Sequence, residues 1–316
     1  MTAPVHEVVP QRASEYLISV VIPTFNYASM LPRALESVVE QLADDIELIV
    51  VDDGSTDATA EVLADFCLRA PRLRVLTQAN AGAAAARNRG IAAAQGRFVL
   101  PLDADDELLP GVLQRLKALI EAQPTVEMIL AGRITCHADG RSRVQLPVPM
   151  HALGPREVIA LYLLRKWVSI AHGSTLFLRD LLLQYPYPQG FEAGEDIPVF
   201  ASVLARAHVV TLPHPLVRIH KHADSVRRRV PGEQATMRLV DEVFARLPAE
   251  CQSLIRRFRA QSYLSLFRSA WRLDRRAEAR RYYLCALKLS PTQALRWRYL
   301  GKLLRLSLHI RSRNRS

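Results

Sequence analysis

The sequence predicts an α/β fold built on a mainly parallel sheet, followed by an α-helical C-terminal region. Three observations carry the prediction. Short β-branched runs begin at residues 18, 46, 73 and 98, a repeat of roughly 25–28 residues that fits strand–helix–strand crossovers. Helix-compatible stretches fill the intervals between them. After about residue 225 the strand-like runs give way to helical spacing and the chain becomes strongly basic.

Taken in order, Ile18–Ile22 (ISVVI) reads as the first strand, ending in Pro23-Thr24-Phe25-Asn26. Leu31, Leu35, Val38 and Leu42 then recur at helical spacing. Ile46–Val51 is the second strand, and Asp52-Asp53-Gly54-Ser55-Thr56-Asp57 supplies turn and cap residues before a helix carrying Val62 and Phe66. Leu73–Leu76 and Phe98–Leu102 complete four strands, with the Ala-rich stretch Ala83–Ala94 between the last two. From residue 110 to 225 the pattern is less regular. It offers a helix at Pro110–Ala122, strand-like pieces at Glu127–Ile134 and Ser174–Leu178, and the loop Tyr185–Phe191. Ala277–Pro291 resembles the second helix of a tetratricopeptide-type hairpin, with no convincing second copy near a 34-residue spacing.

Composition narrows the class. A chain of 316 residues with 49% hydrophobic and 23% charged residues is globular rather than disordered. Its length suits one large domain with an appendage, or two ordinary domains. Cys67, Cys136, Cys251 and Cys285 lie far apart with no CxxC pair, so neither a disulfide framework nor a zinc knuckle is expected, and a reducing, cytosolic compartment fits best. Met1–Glu15 lacks an apolar signal core and no apolar run reaches spanning length, so the expectation is a protein neither exported nor integral to a bilayer. Residues 1–225 carry 20 Lys+Arg against 25 Asp+Glu, whereas residues 226–316 carry 22 against 6. That contrast predicts a domain boundary near Arg227-Arg228-Arg229-Val230-Pro231-Gly232, and a C-terminal block drawn to anionic surfaces.

The acidic residues fall where chemistry is expected. In open parallel sheets ligands bind beyond the carboxyl ends of the strands, where loops and helix N-termini converge. Asn26, Asp52, Asp53, Asp103 and Asp105 all stand there. Two carboxylates separated by one residue project to the same side of an extended chain. Asp103 and Asp105 therefore suit a hard cation, Mg²⁺ or Mn²⁺. The plainer alternative, a solvated turn, loses to the apolar strand Phe98–Leu102 that leads into it. Asp53, beside Asp52, can accept from a base imide or a ribose hydroxyl, or it can cap the following helix. Arg87, about one turn into the Ala-rich helix, can clamp phosphate oxygens or hold Asp103. Glu195-Asp196 opens the apolar stretch Ile197, Phe200, Val203 and Leu204. A carboxylate at that helix start either takes a proton from an incoming hydroxyl or simply answers the helix dipole.

Together these segments resemble a known family. ISVVIPTFNYASMLPRALESV, LIVVDDGSTD, NAGAAAARNRGIAAAQGRFVLPLDADD and GFEAGEDIPVF are similar to successive signatures of family-2 glycosyltransferases with the GT-A fold, over about residues 17–225. The resemblance implies a Rossmann-like, nucleotide-diphospho-sugar-binding sheet with an N-terminal extension at 1–16 and a basic helical region at 226–316. It implies that Pro23, Thr24 and Asn26 lie beside the nucleoside, that Asp53 contacts the base, and that Arg87 lies near the diphosphate. It gives the metal to Asp105, with Asp103 and neighbouring Ala104 on the sugar or ribose, and makes Asp196 the general base with Glu195 beside it. The segment Arg218–Ser225 departs from the family's ending and leaves either His220 or His222 to reach the metal. The implied reaction is inverting transfer of a sugar from a nucleotide-sugar donor to a hydroxyl of a glycan or lipid-linked acceptor, in polysaccharide assembly.

The basic tail has three readings. Trp297, Leu300, Leu304 and Leu308 share a helix face, with Arg298, Lys302 and Arg305 a quarter-turn away, as in helices on an anionic membrane surface. Core helices with snorkelling arginines fit equally, and nucleic-acid binding lacks any accompanying motif. Two other classes compete with the transferase. A nicotinamide enzyme requires a GxGxxG after the first strand, where Pro23-Thr24-Phe25-Asn26 stands instead. A non-catalytic nucleotide-sugar-binding scaffold, docking partners through the helical tail, needs no full set of acids.

Overall fold

A computed structural model describes residues 16–150, 153–191, 193–221, 232–297 and 299–302. His222, the expected boundary at 227–231, nearly all of the N-terminal extension, and Arg298, Leu303, Leu304, Arg305, Leu306 and Leu308 lie outside these residues.

In chain order the elements are β1 (Ile18–Thr24), α1 (Leu31–Val39), β2 (Ile46–Asp52), α2 (Thr59–Arg69), β3 (Leu73–Thr77), α3 (Ala83–Ala93), β4 (Phe98–Pro101), β5 (Glu107–Leu108) and α4 (Val112–Ala122). There follow β6 (Met128–His137), β7 (Ser142–Gln145), α5 (Pro155–Ile159), a π-turn at Ala160–Arg165, β8 (Thr175–Leu178), α6 (Arg179–Gln184), α7 (Asp196–Leu204) and β9 (Val209–Lys221). The remainder is helical: α8 (Glu233–Arg246), a 3₁₀ turn at Ala249–Leu254, α9 (Ile255–Arg272), α10 (Arg276–Leu289) and α11 (Pro291–Ala294). The chain forms two compact units.

The first unit comprises residues up to Thr125 together with His172–Gln184 and Pro215–Ile219. Its strands run in the order β3-β2-β1-β4-β8, the first four parallel and β8 antiparallel to β4. The expected crossovers are thus realised. Ile18–Ile22, Leu48–Val51 and Phe98–Leu100 are fully buried, which is why they read as near-continuous apolar runs rather than alternating ones. Packing of α3 on the sheet is close enough to require Gly90, where a Cβ would stand 2.4 Å from Val21 Cγ1 and 3.1 Å from Val51 Cγ2. A helix made mostly of alanine meets the same demand.

The second unit comprises Val126–Ala171, Tyr185–His214 and His220 onward. In it β6 pairs antiparallel with β7, which extends β6 three residues past the sequence expectation. The helix expected at Ala277–Pro291 is α10, which packs against α9 after a three-residue turn whose Asp274 has φ +54°. Phe267, Ala270, Ala279, Tyr282, Tyr283 and Tyr299 form their core. Phe267 and Tyr283 rings lie 5.5 Å apart, and the buried Tyr283 hydroxyl donates to Ala294 O at 3.2 Å. No helix among the described residues is long and apolar enough to cross a membrane.

Candidate active site

The carboxyl ends of β1 and β2 are stapled to each other. In parallel register Thr24 stands beside Asp52, and Asp53 N donates to Thr24 O at 2.9 Å. Asn26 adopts a left-handed conformation, φ +56°, which asparagine tolerates better than most residues. There its side-chain oxygen accepts from Thr56 N at 2.7 Å, while its own N–H donates to Ser55 Oγ at 2.9 Å. Asp52 accepts from Ser55 N. Phe25 is left with its ring exposed between two fixed residues. Thr24 Oγ1 is buried and has no hydrogen-bond partner among the described residues.

Asp53 is 2% exposed. Its Oδ1 accepts from Gln78 Nε2 at 2.7 Å and Ala81 N at 2.9 Å, and its Oδ2 from Gly82 N at 2.8 Å. These bonds fix the loop that opens α3. A carboxylate has about four acceptor positions, so one is left over.

The end of β4 differs in kind. Asp103, Asp105 and Asp106 bring carboxylate oxygens within 4.8 Å of one another. Arg87, itself 7% exposed, donates from Nη2 to Asp103 Oδ1 at 2.8 Å, and His172 Nδ1 lies 3.2 Å from the same oxygen. Burial alone would raise the proton affinity of Asp103. The His172 and Arg87 charges and hydrogen bonds together outweigh it and hold the carboxyl well below the usual carboxylate range. The chain therefore keeps Asp103 ionised beside two further acids.

This acidic loop is braced by one face of α1. Arg33, Ser37 and Gln41 recur every four residues and so share a stripe. Arg33 Nη2 donates to Asp105 O at 2.5 Å, Ser37 Oγ accepts from Leu108 N at 3.0 Å, and Gln41 Nε2 donates to Leu109 O at 3.1 Å. Glu107 pairs with Arg218 of β9 and lies 3.8 Å from Arg33 Nε.

In the second unit Asp196 is the first residue of α7, preceded by Glu195, and a carboxylate there is favoured by the helix dipole. Tyr162, in the π-turn, has its pKa raised well above 10, by burial first, then by the Asp196 charge and Tyr187. Lys166 ends that turn in a left-handed conformation, φ +58°, and burial lowers its pKa against the opposing pull of Asp196. The Asp196 charge thus acts on both a buried tyrosine and a lysine. His220 stands on β9, two residues after Arg218.

Sequence reading found the acids and Arg87 but missed four contributors. Asp106 looked like ordinary turn composition. His172 and Gln78 belong to no quoted motif, and Arg33 was passed over because only the apolar face of its helix was read. A polar stripe at positions 33, 37 and 41 was the available signal.

The model of glycosyl transferase family 2 matches residues 19–185, just over half of the chain. The chain belongs to that family. An uncharacterized glycosyltransferase of Nostoc is 44% identical over 110 residues, 34% of each chain. The succinoglycan biosynthesis protein ExoO of Rhizobium meliloti is 30% identical over 196 residues, 60% of this chain and 56% of that one. Matches to the relatives at 40–44% identity span about a third of those proteins' length. Among solved structures, S. aureus TarS 1–349 with UDP-GlcNAc aligns at TM-score 0.65 and 17% identity, covering 88% of this chain and 82% of that one. The mannosyltransferase PcManGT of Pyrobaculum calidifontis, in complex with GDP-Man and Mn²⁺, aligns at TM-score 0.52 and 20% identity, covering 95% and 83%. The fold is of the GT-A type.

Proposed function

We propose that the chain is a glycosyltransferase that moves a sugar from a nucleoside diphosphate to a hydroxyl of a glycan or lipid-linked acceptor, with inversion, during polysaccharide assembly. The observation that carries this is the trio Asp103, Asp105 and Asp106 at the end of β4, with Arg87 held against it. Three hard oxygen donors within reach of one point fit Mg²⁺ or Mn²⁺. The neighbour solved with GDP-Man and Mn²⁺ supports the same choice. When bound, such a cation supplies positive charge to the departing diphosphate.

The chain's own residues do the rest. Pro23, Thr24 and Asn26 border the nucleoside, and the orphaned Thr24 hydroxyl and the spare Asp53 acceptor position offer it one hydrogen bond each. Arg87, already a donor to Asp103, stands where diphosphate oxygens and Asp103 share its guanidinium, with Asp103 and Ala104 turned to ribose and sugar. Asp105 is the principal metal ligand, and His220 or His222 completes the set. Asp196 takes the proton of the acceptor hydroxyl, and Glu195 helps to hold the acceptor. In-line displacement requires that base to approach from the face opposite the leaving group.

The acceptor side includes an anionic bilayer. On α10 the stripe Arg280, Leu284 and Lys288 is exposed, and neither cation has an acidic partner among the described residues. Trp297, 82% exposed, adds an aromatic anchor. Basic and apolar groups displayed together match the interface of an anionic membrane.

The test is a panel of nucleotide sugars with manganese, read by thermal shift and by release of nucleoside diphosphate, on the native chain and Asp105→Ala. Stabilisation and turnover by at least one donor, lost in the variant, is the expected result. If no nucleotide sugar stabilises the native chain, the donor reading fails.

A further inference from the structure

His172 belongs to no quoted motif, lies 69 positions from Asp103 in sequence, and yet touches it. The register of β8 explains how. Phe98 pairs with Leu178 and Val99 with Phe177, so each step forward along β4 is a step back along β8. Beyond the ladder the alignment slips by two residues, so that Gly173 rather than Thr175 meets the end of β4. Gly173 N donates to Pro101 O at 2.5 Å, which fixes the alignment where the ladder ends. Gly173 has φ +71°, and a Cβ there would stand 2.6 Å from Val217 Cγ2 and 3.0 Å from Leu102 Cδ1. The backbone just after the histidine is thereby held close to the end of β4, and the residue is 7% exposed against the acidic loop.

The contact is directional. A carboxylate oxygen only accepts, so His172 carries its proton on Nδ1. Both donors, Arg87 Nη2 at 2.8 Å and His172 Nδ1 at 3.2 Å, address Oδ1 of Asp103. Oδ2 receives no donor among the described residues. One hydrogen bond to Oδ1 leaves a carboxylate free to swing about its Cβ–Cγ bond; two donors from different directions stop it. We infer that His172 is a positioning residue of the donor site, which with Arg87 clamps Oδ1 of Asp103 and so presents Oδ2 to the donor and its cation. The inference rests on the proposed nucleotide-sugar reading and adds to it a residue from outside every motif. Groups that orient ligating carboxylates typically change affinity or rate by about 10–100-fold when removed.

The histidine's two nitrogens allow a discriminating test. An asparagine places its amide nitrogen near the position of Nδ1, and a glutamine near that of Nε2. Native protein, His172→Asn, His172→Gln and His172→Phe are titrated calorimetrically with UDP and with GDP, in manganese and in EDTA, and their melting temperatures are recorded. In manganese, His172→Gln and His172→Phe bind the preferred nucleotide about 10–100-fold more weakly than native, while His172→Asn stays within about fivefold. In EDTA the four proteins differ by less than about threefold, because Oδ2 then has no cation to meet. Equal manganese-supported affinity in all four overturns the inference. So does equal loss in the Asn and Gln variants tracking a common fall in melting temperature, which marks a packing role only. A native chain that binds neither nucleotide under either condition removes the donor reading itself, and this inference with it.

Discussion

Both ends of the parallel sheet bury acid, but in opposite states. At the amino end Glu47, 0% exposed, has its Oε1 filled by Ser19 Oγ at 2.7 Å and Gln95 N at 2.5 Å, and its Oε2 by Arg74 Nη1 at 3.0 Å. Ser19 Oγ accepts in turn from Gly96 N at 2.8 Å, so one carboxylate ties β1, β2, β3 and the α3–β4 loop together. At the carboxyl end Asp103, Asp105 and Asp106 crowd within 4.8 Å, and one oxygen of Asp103 is clamped while the other is not. A carboxylate whose oxygens are filled is architecture. Carboxylates pressed together store repulsion that a cation relieves, and that state marks a site. Asp53 lies between the two, with three positions filled and room for one more.

Substitutions can break this contrast, and the largest effects belong to chemistry. Asp196→Asn should cut turnover by about 10²–10⁴-fold with donor affinity unchanged, measured as kcat and donor KM on a responsive nucleotide sugar. Normal turnover in that variant would remove Asp196 from the reaction. Asp105→Ala should cost at least about 100-fold in manganese-dependent turnover, measured beside the melting temperature so that loss of chemistry is separated from loss of fold. Glu47→Ala should do the reverse. It leaves Gln95 N and Ser19 Oγ without their buried acceptor and costs about 2–3 kcal/mol in a denaturant titration, with nucleotide affinity intact. Were Glu47→Ala to abolish nucleotide binding in a folded protein, the distinction between the two ends would fail.

Smaller effects sharpen the picture at the surface. Arg280→Glu with Lys288→Glu should weaken cosedimentation with phosphatidylglycerol vesicles roughly tenfold or more, and leave phosphatidylcholine binding unaffected, at about 1 kcal/mol per basic residue. Equal binding to both vesicle types by native and variant would count against the membrane face. Asp57 is the mildest case. Its carboxylate accepts from Thr59 N and Oγ1 and from Ala28 N, and Thr59's hydroxyl chiefly lowers its pKa. A lowered folded pKa means stability present above the ordinary value of about 3.9 and lost as pH falls through the folded one. Asp57→Asn should therefore cost little at neutral pH, the group being solvent-exposed, and remove part of the acid sensitivity of urea titrations below about pH 4.

The local elements were legible because their signals are local. Fully buried parallel strands favour near-continuous apolar runs, and Ile18–Ile22, Ile46–Val51 and Phe98–Leu102 supply them, interrupted only by Ser19 and Glu47. Asp103 and Asp105 were legible from their place just past an apolar strand, but the pleat expected to align them ends at Pro101, and it is the turn after β4 that gathers them with Asp106. Glu47 was read only as part of a strand, since nothing in IELIVV tells a buried acid from a tolerated one. His172 was invisible for a different reason: its partner is chosen by the pairing of β8 with β4, between segments some seventy residues apart.

By itself the sequence determined the crossovers, the acids at the strand ends and the basic helical tail, because each depends on residues within a turn or a strand of one another. Tertiary structure alone decided which donors surround each acid, that Arg33, Ser37 and Gln41 brace the acidic loop, and that a histidine from a distant segment sits on Asp103. The reason is physical. A carboxylate's role follows from the donors around it, and those donors arrive from whichever strands the sheet makes neighbours.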